Sequence, residues 1–160
     1  MTNPVVRISG MVADRSKGVG KYSASMVMKD HPKWVEYIKS ITGWSKVEFG
    51  TLTVNDCKPL PLGALKNESN LGTEPDPKTF FGSDPYYVNL MRLRKTRRWY
   101  GGIAISGEQR YQVCVSQQDA PAVIHRLEVY ADEKLRDKLN LKTNDPVSVD
   151  VYNADDWRRE

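Results

Sequence analysis

Short apolar alternations, broken by turns at close intervals, set the limits on what this chain can become. Val147, Val149 and Val151 are separated by Ser148 and Asp150. Tyr111, Val113 and Val115 alternate with Gln112 and Cys114, and Val5, Val6, Ile8 and Val12 enclose Arg7 and Ser9. Side chains alternate across a strand, so such runs turn one face toward a core. Further strands are expected over residues 22–28, 47–54, 86–93, 99–105 and 124–130. Two helices interrupt them. In the first, Trp34, Tyr37, Ile38 and Ile41 fall at i, i+3, i+4 and i+7, one apolar stripe. Asp30 is placed to cap it, Pro32 suits its first turn and Gly43 its end. Trp34 and Tyr37 are expected in the core rather than at a ligand. The second helix follows Asp132 as its cap and holds Lys134, Leu135, Arg136 and Leu139. Many short strands with two short helices predict a mainly β fold, a small closed barrel.

The 160 residues fit one domain. It is expected to span 1–153, with a charged tail over 154–160. From Asn55 to Pro85 the texture changes: Pro59, Pro61, Pro75, Pro77 and Pro85 stand among Gly, Asn, Ser and Asp. This stretch reads as a long loop insertion with little regular structure, either a binding lid or surface decoration, with Phe80-Phe81 as an anchor to the core. No apolar run approaches the ~20 residues of a membrane span. Met1-Thr2-Asn3-Pro4 lacks the charged-then-apolar pattern of a signal peptide. Cys57 and Cys114 form no Cys-x-x-Cys pair and are expected as reduced, buried thiols. The expectation is a cytoplasmic monomer with no membrane partner. A net charge of +4 and a pI near 9.0 suit an anionic ligand without separating nucleotide from nucleic acid.

One loop carries anion-binding chemistry. In Ser16-Lys17-Gly18-Val19-Gly20-Lys21-Tyr22, two glycines flank a valine between two lysines. Glycine lets the backbone approach a ligand closely, and successive exposed N–H groups make a concavity for anions. It is not a Walker A loop, because Arg15 and Tyr22 stand where Gly and Ser or Thr are needed. It is not a dinucleotide fingerprint, because Ser23 replaces the third glycine. A plain hairpin turn is the competing reading. Five basic residues in seven, Arg92, Arg94, Lys95, Arg97 and Arg98, can grip phosphate or simply keep a hairpin solvated. His31 and His125 are isolated and lack metal-ligand spacing.

Four segments, in order, resemble the CTP-dependent riboflavin kinases best known from archaea. Gly18-Val19-Gly20-Lys21-Tyr22 is similar to the family's Gly-x-Gly-Arg-Tyr, and Gly50-Thr51-Leu52-Thr53-Val54 to its Gly-Thr-Leu-Asn-Leu. The Glu128 strand leads into Lys134-Leu135-Arg136-Asp137, similar to Lys-Leu-Arg-Glu. Leu139 to Asp145, with the valines that follow, resembles the family's closing turn and strand. The resemblance implies a cradle-loop β-barrel that transfers a phosphoryl group from CTP to the 5′-hydroxyl of riboflavin, giving FMN. It implies nucleotide binding by Ser16, Lys17, Gly18, Val19, Gly20 and Lys21 and by Lys134, Leu135, Arg136 and Asp137. It implies Mg2+ held at Thr51 and Thr53 and Glu128 as the catalytic and flavin-side carboxylate; Asn55, two residues beyond Thr53 on the same strand face, is placed to help with the ion. Two positions depart from the family: Thr53 stands where it has Asn, and a flavin-side threonine has no counterpart near Gln117 to Ala122. The insertion has none either.

Phosphoryl transfer asks for donors around the phosphates, a bridging metal and an oriented hydroxyl, and little covalent chemistry. Magnesium keeps several waters, so one or two protein oxygens suffice. Glu128 can accept the hydroxyl proton or merely pair with an arginine. Two other readings stay open: a nucleic-acid-binding barrel, suggested by the high pI and the basic cluster, and a non-catalytic flavin- or nucleotide-binding relative, suggested by Thr53.

Overall fold

The computed structural model describes residues 3–14, 24–66, 68–76, 78–81, 97–118 and 124–160. Seven strands lie among them: β1 Val6–Val12, β2 Leu52–Lys58, β3 Gly72–Thr73, β4 Arg97–Ser106, β5 Gln109–Gln118, β6 Leu127–Tyr130 and β7 Pro146–Tyr152. Six helices join them: α1 Ala24–Asp30, α2 Pro32–Thr42, α3 Pro61–Leu65, α4 Lys78–Phe81, α5 Leu135–Lys138 and α6 Ala154–Arg158. The sheet runs β3-β4-β5-β6-β2-β1-β7, and β4 also pairs with β7. Six antiparallel strands therefore close a barrel, and β3 is an extra strand on β4. Closure leaves those six strands without a free edge along the barrel wall.

The alternation in the sequence becomes two apolar layers. Inside the barrel lie Ile8, Val54, Val113, Val129, Val149 and their neighbours. Outside it, Trp99, Cys114, Tyr130 and Tyr152 face α1, α2 and α6 through Val27, Trp34, Ile38 and Trp157. α3 closes one end, where the buried Leu65 carbonyl accepts the Tyr100 hydroxyl at 2.9 Å. β2 bends at Asp56, whose φ is 53°, and its pairing with β1 shifts register between Ser9 and Met11. That bulge brings the Asn55 carbonyl against Gly10, where any Cβ would overlap it.

Several sequence expectations need correction. Residues 24–30 form helix, not strand. Ala, Met and Lys are good helix formers, and buried Val27 and Met28 are adjacent, as a helix allows and strict strand alternation does not. α2 begins as expected at Pro32 and ends at Gly43, φ 79°, but its N-cap is His31 rather than Asp30. β2 spans 52–58 rather than 47–54, and β6 begins at Leu127 rather than Ile124. The insertion is more regular than expected: it contains the end of β2, α3, β3 and α4. Phe80 anchors it as anticipated, 8% exposed and packed on Tyr37 at 5.3 Å between ring centroids. α5 is preceded by Lys134 with no side-chain cap; Asp132 instead accepts the Tyr111 hydroxyl at 2.7 Å. The tail is a helix that buries Trp157 to 1% exposure. The strand expected over 86–93, residues 92, 94 and 95 of the basic cluster and the turn at Asp119-Ala120-Pro121 lie outside the described residues.

Candidate functional site

The barrel brings three of the four singled-out segments, and the root of the fourth, to one place. β1 ends at Val12, three residues short of the glycine-rich stretch that starts at Ser16. The Ala13 N–H donates to the Thr53 carbonyl at 2.9 Å. The Ala13 carbonyl accepts from the Arg136 guanidinium at 2.8 Å. Val12 is bound on its other side, its N–H to the Asp145 carbonyl and its carbonyl to the Asn144 N–H, at 2.9 and 2.8 Å. One short piece of backbone thus touches the Gly-Thr-Leu strand, the Lys-Leu-Arg helix and the closing turn. That turn holds Asn144 at φ 71°, a left-handed conformation that asparagine tolerates, and the Asp145 carboxylate accepts the Lys142 N–H at 2.8 Å.

Thr53 and Glu128 stand directly opposite each other on β2 and β6. Their neighbours pair as Leu52 with Val129 and Val54 with Leu127, all buried in the barrel. Alternation therefore turns Thr53 and Glu128 to the outer face. Both are half-buried, and the Thr53 hydroxyl donates to the Glu128 carboxylate, 3.0 Å from each oxygen. Thr51 is also half-buried, across Leu52 from Thr53. Glu128 faces Ser116 of β5 on its other side, and Ser116 faces Trp99 of β4, so the pair ends a row running into the outer aromatic layer. Asn55 Oδ1 is buried with no hydrogen-bond partner among the described residues.

Of the residues expected to bind nucleotide, Ser16, Lys17, Gly18, Val19, Gly20 and Lys21 lie outside the described residues. Lys134 and Arg136 are half-buried and Asp137 is exposed. Leu135 is 3% exposed and belongs to the barrel core, so only its backbone can face a ligand. Threonine hydroxyls and a carboxylate are hard oxygen donors of the kind magnesium takes, and they suit an ion that keeps most of its waters. Among the described residues no three His, Cys, Asp or Glu side chains cluster as a metal cage.

A second polar constellation went unnoticed in the sequence. Glu74 follows β3, and its Oε1 accepts the indole N–H groups of Trp34 and Trp99, each at 2.8 Å. Arg97 lies 3.9 Å from the same oxygen and 5.2 Å from the Trp34 ring centre. Trp99 and Tyr130 pack at 4.7 Å between centroids. Glu74 sits in the insertion, far in sequence from both tryptophans, so no local pattern could have announced it. The Thr53–Glu128 contact was hidden in the same way: each residue was singled out, and only strand register joins them.

No helix among the described residues is long and apolar enough to cross a membrane. The chain matches no protein-family model and no curated protein.

Proposed function

We propose that the chain is a CTP-dependent riboflavin kinase, transferring the γ-phosphoryl group of CTP to the riboflavin 5′-hydroxyl to give CDP and FMN. One observation carries the reading: residues 12–13 are hydrogen-bonded at once to Thr53, to Arg136 and to the turn at Asn144-Asp145. These are the segments that resemble the family: the β1 pairings with β2 and β7 bring Thr53 and the turn there, and the Arg136 bond to the Ala13 carbonyl adds a contact that strand pairing does not supply.

In this reading the loop N–H groups, with Lys17, Lys21, Lys134 and Arg136, hold the phosphates. Thr51 and Thr53 would hold Mg2+, which would supply positive charge against that developing on the transferred group. Glu128 takes the proton of the 5′-hydroxyl as its oxygen attacks the γ-phosphorus, and the bond to the β-phosphate oxygen breaks. Arg136 also fixes the Ala13 carbonyl, so the helix and the loop root are positioned together.

Binding of CDP with Mg2+, followed by calorimetry, tests the nucleotide half of the proposal. Lys21→Ala should weaken binding about tenfold by removing a phosphate charge, and Gly20→Val should weaken it at least as much by blocking backbone approach. Unchanged affinity in both variants would remove the glycine loop from the site.

A further inference from the structure

We infer that Glu128 fixes the Thr53 hydroxyl as an oxygen donor for a divalent cation, so that the two side chains bind the ion as one coupled pair; the identity of the site rests on the kinase reading above. A threonine hydroxyl has one proton and two lone pairs, and it rotates to suit its surroundings. Left to itself, it samples orientations of which only those with a lone pair outward can serve a cation. Here the proton is committed, because Oγ1 stands 3.0 Å from both oxygens of the Glu128 carboxylate. The lone pairs then point away from Glu128. Donation to an anionic acceptor also raises electron density on the hydroxyl oxygen, which is what a hard cation takes from it. A bare hydroxyl is a weaker ligand than the amide carbonyl of an asparagine, and the carboxylate behind it offsets that weakness.

The barrel sets this pair before any ligand arrives. Thr53 and Glu128 are cross-strand partners in a register held on both sides by Leu52 with Val129 and Val54 with Leu127. All four apolar side chains are at most 1% exposed. Slipping the strands by one residue would turn them outward, so the contact is fixed by core packing rather than by its own hydrogen bond. Glu128 is a positioning residue in this step, distinct from its role as proton acceptor.

The probe is Mn2+, whose free fraction is read by electron paramagnetic resonance on the full chain, with and without CDP and in the absence of riboflavin. Thr53→Val and Glu128→Gln should each weaken Mn2+ binding about tenfold. Thr53→Ser should bind like the wild type, because it keeps the hydroxyl. The double variant should bind no more weakly than the weaker single one, since either change dissolves the same pair. Should Thr53→Val fold poorly in a thermal melt, Thr53→Ala takes its place in the cycle. Additive losses would mean that Glu128 acts only through its charge, and would overturn the inference. So would wild-type affinity in either single variant, or no Mn2+ binding to the wild type. Absence of FMN formation with the coupling intact would count against the kinase and leave the pair standing; FMN formation without the coupling would do the reverse.

Discussion

Single residues at Glu74 and the two cysteines carry consequences that can be measured directly. The Glu74 carboxylate is the acceptor for two indole N–H groups in the outer core. Glu74→Ala leaves both without it, at about 1–3 kcal/mol for each buried donor. Glu74→Gln keeps an acceptor oxygen and should lose less. Urea unfolding followed by tryptophan fluorescence compares them; equal stability of Glu74→Ala and wild type would show that the constellation contributes nothing. Burial pushes the Cys57 thiol up to about 12 and the Cys114 thiol well above its ordinary value. Both are free and buried, as the absence of a Cys-x-x-Cys pair led one to expect. An unfolded thiol ionises near pH 9 while the folded one stays protonated, so stability is full below pH 9 and falls as the pH climbs toward 12. Desolvation of Tyr111, reinforced by its bond to Asp132, and of Tyr130 acts in the same direction. Urea midpoints should therefore be lower at pH 10.5 than at pH 8, and Cys57→Ala should show a smaller drop. A midpoint unchanged between the two pH values would contradict this.

Among the elements, the C-terminal helix departs furthest from its sequence reading. Asp155, Asp156, Arg158, Arg159 and Glu160 gave it the look of a solvated tail. A single buried side chain decides otherwise. The Trp157 indole lies flat against Gly101 of β4, where any Cβ would overlap it, and its N–H donates to the Gly102 carbonyl at 3.0 Å. Trp157→Ala should cost about 3–5 kcal/mol, the range for removing a large core aromatic. Gly101→Ala should also destabilise, by forcing the helix off the sheet. Thermal melts of the two variants check this, and a wild-type melting temperature for either would place α6 outside the core. Strand identity was legible where alternation ran long, as in β5 and β7, whose inward valines are all buried. It failed at 24–30, because seven residues do not separate a period of two from one of 3.6. It failed in the insertion because α3 and β3 are held by tertiary partners, the barrel mouth and β4, rather than by their own periodicity.

For the whole molecule, the closed barrel was readable from spacing and turns, but the composition of its site was not. Sequence singled out Thr53, Glu128, Arg136 and the Asn144 turn separately. The antiparallel register and the return of β1 to β2 and β7 bring Thr53, Glu128 and the turn together, and the Arg136 bond to Ala13 adds the helix. The functional account predicts how they act together: CTP as donor, riboflavin as acceptor, Mg2+ required. The most direct measurement incubates the full chain with riboflavin, Mg2+ and each nucleoside triphosphate in turn, and follows FMN by chromatography and fluorescence. FMN should form with CTP, at least about tenfold more slowly with ATP, and not at all once Mg2+ is chelated. No FMN with any nucleotide, or equal rates with ATP and CTP, would contradict the account.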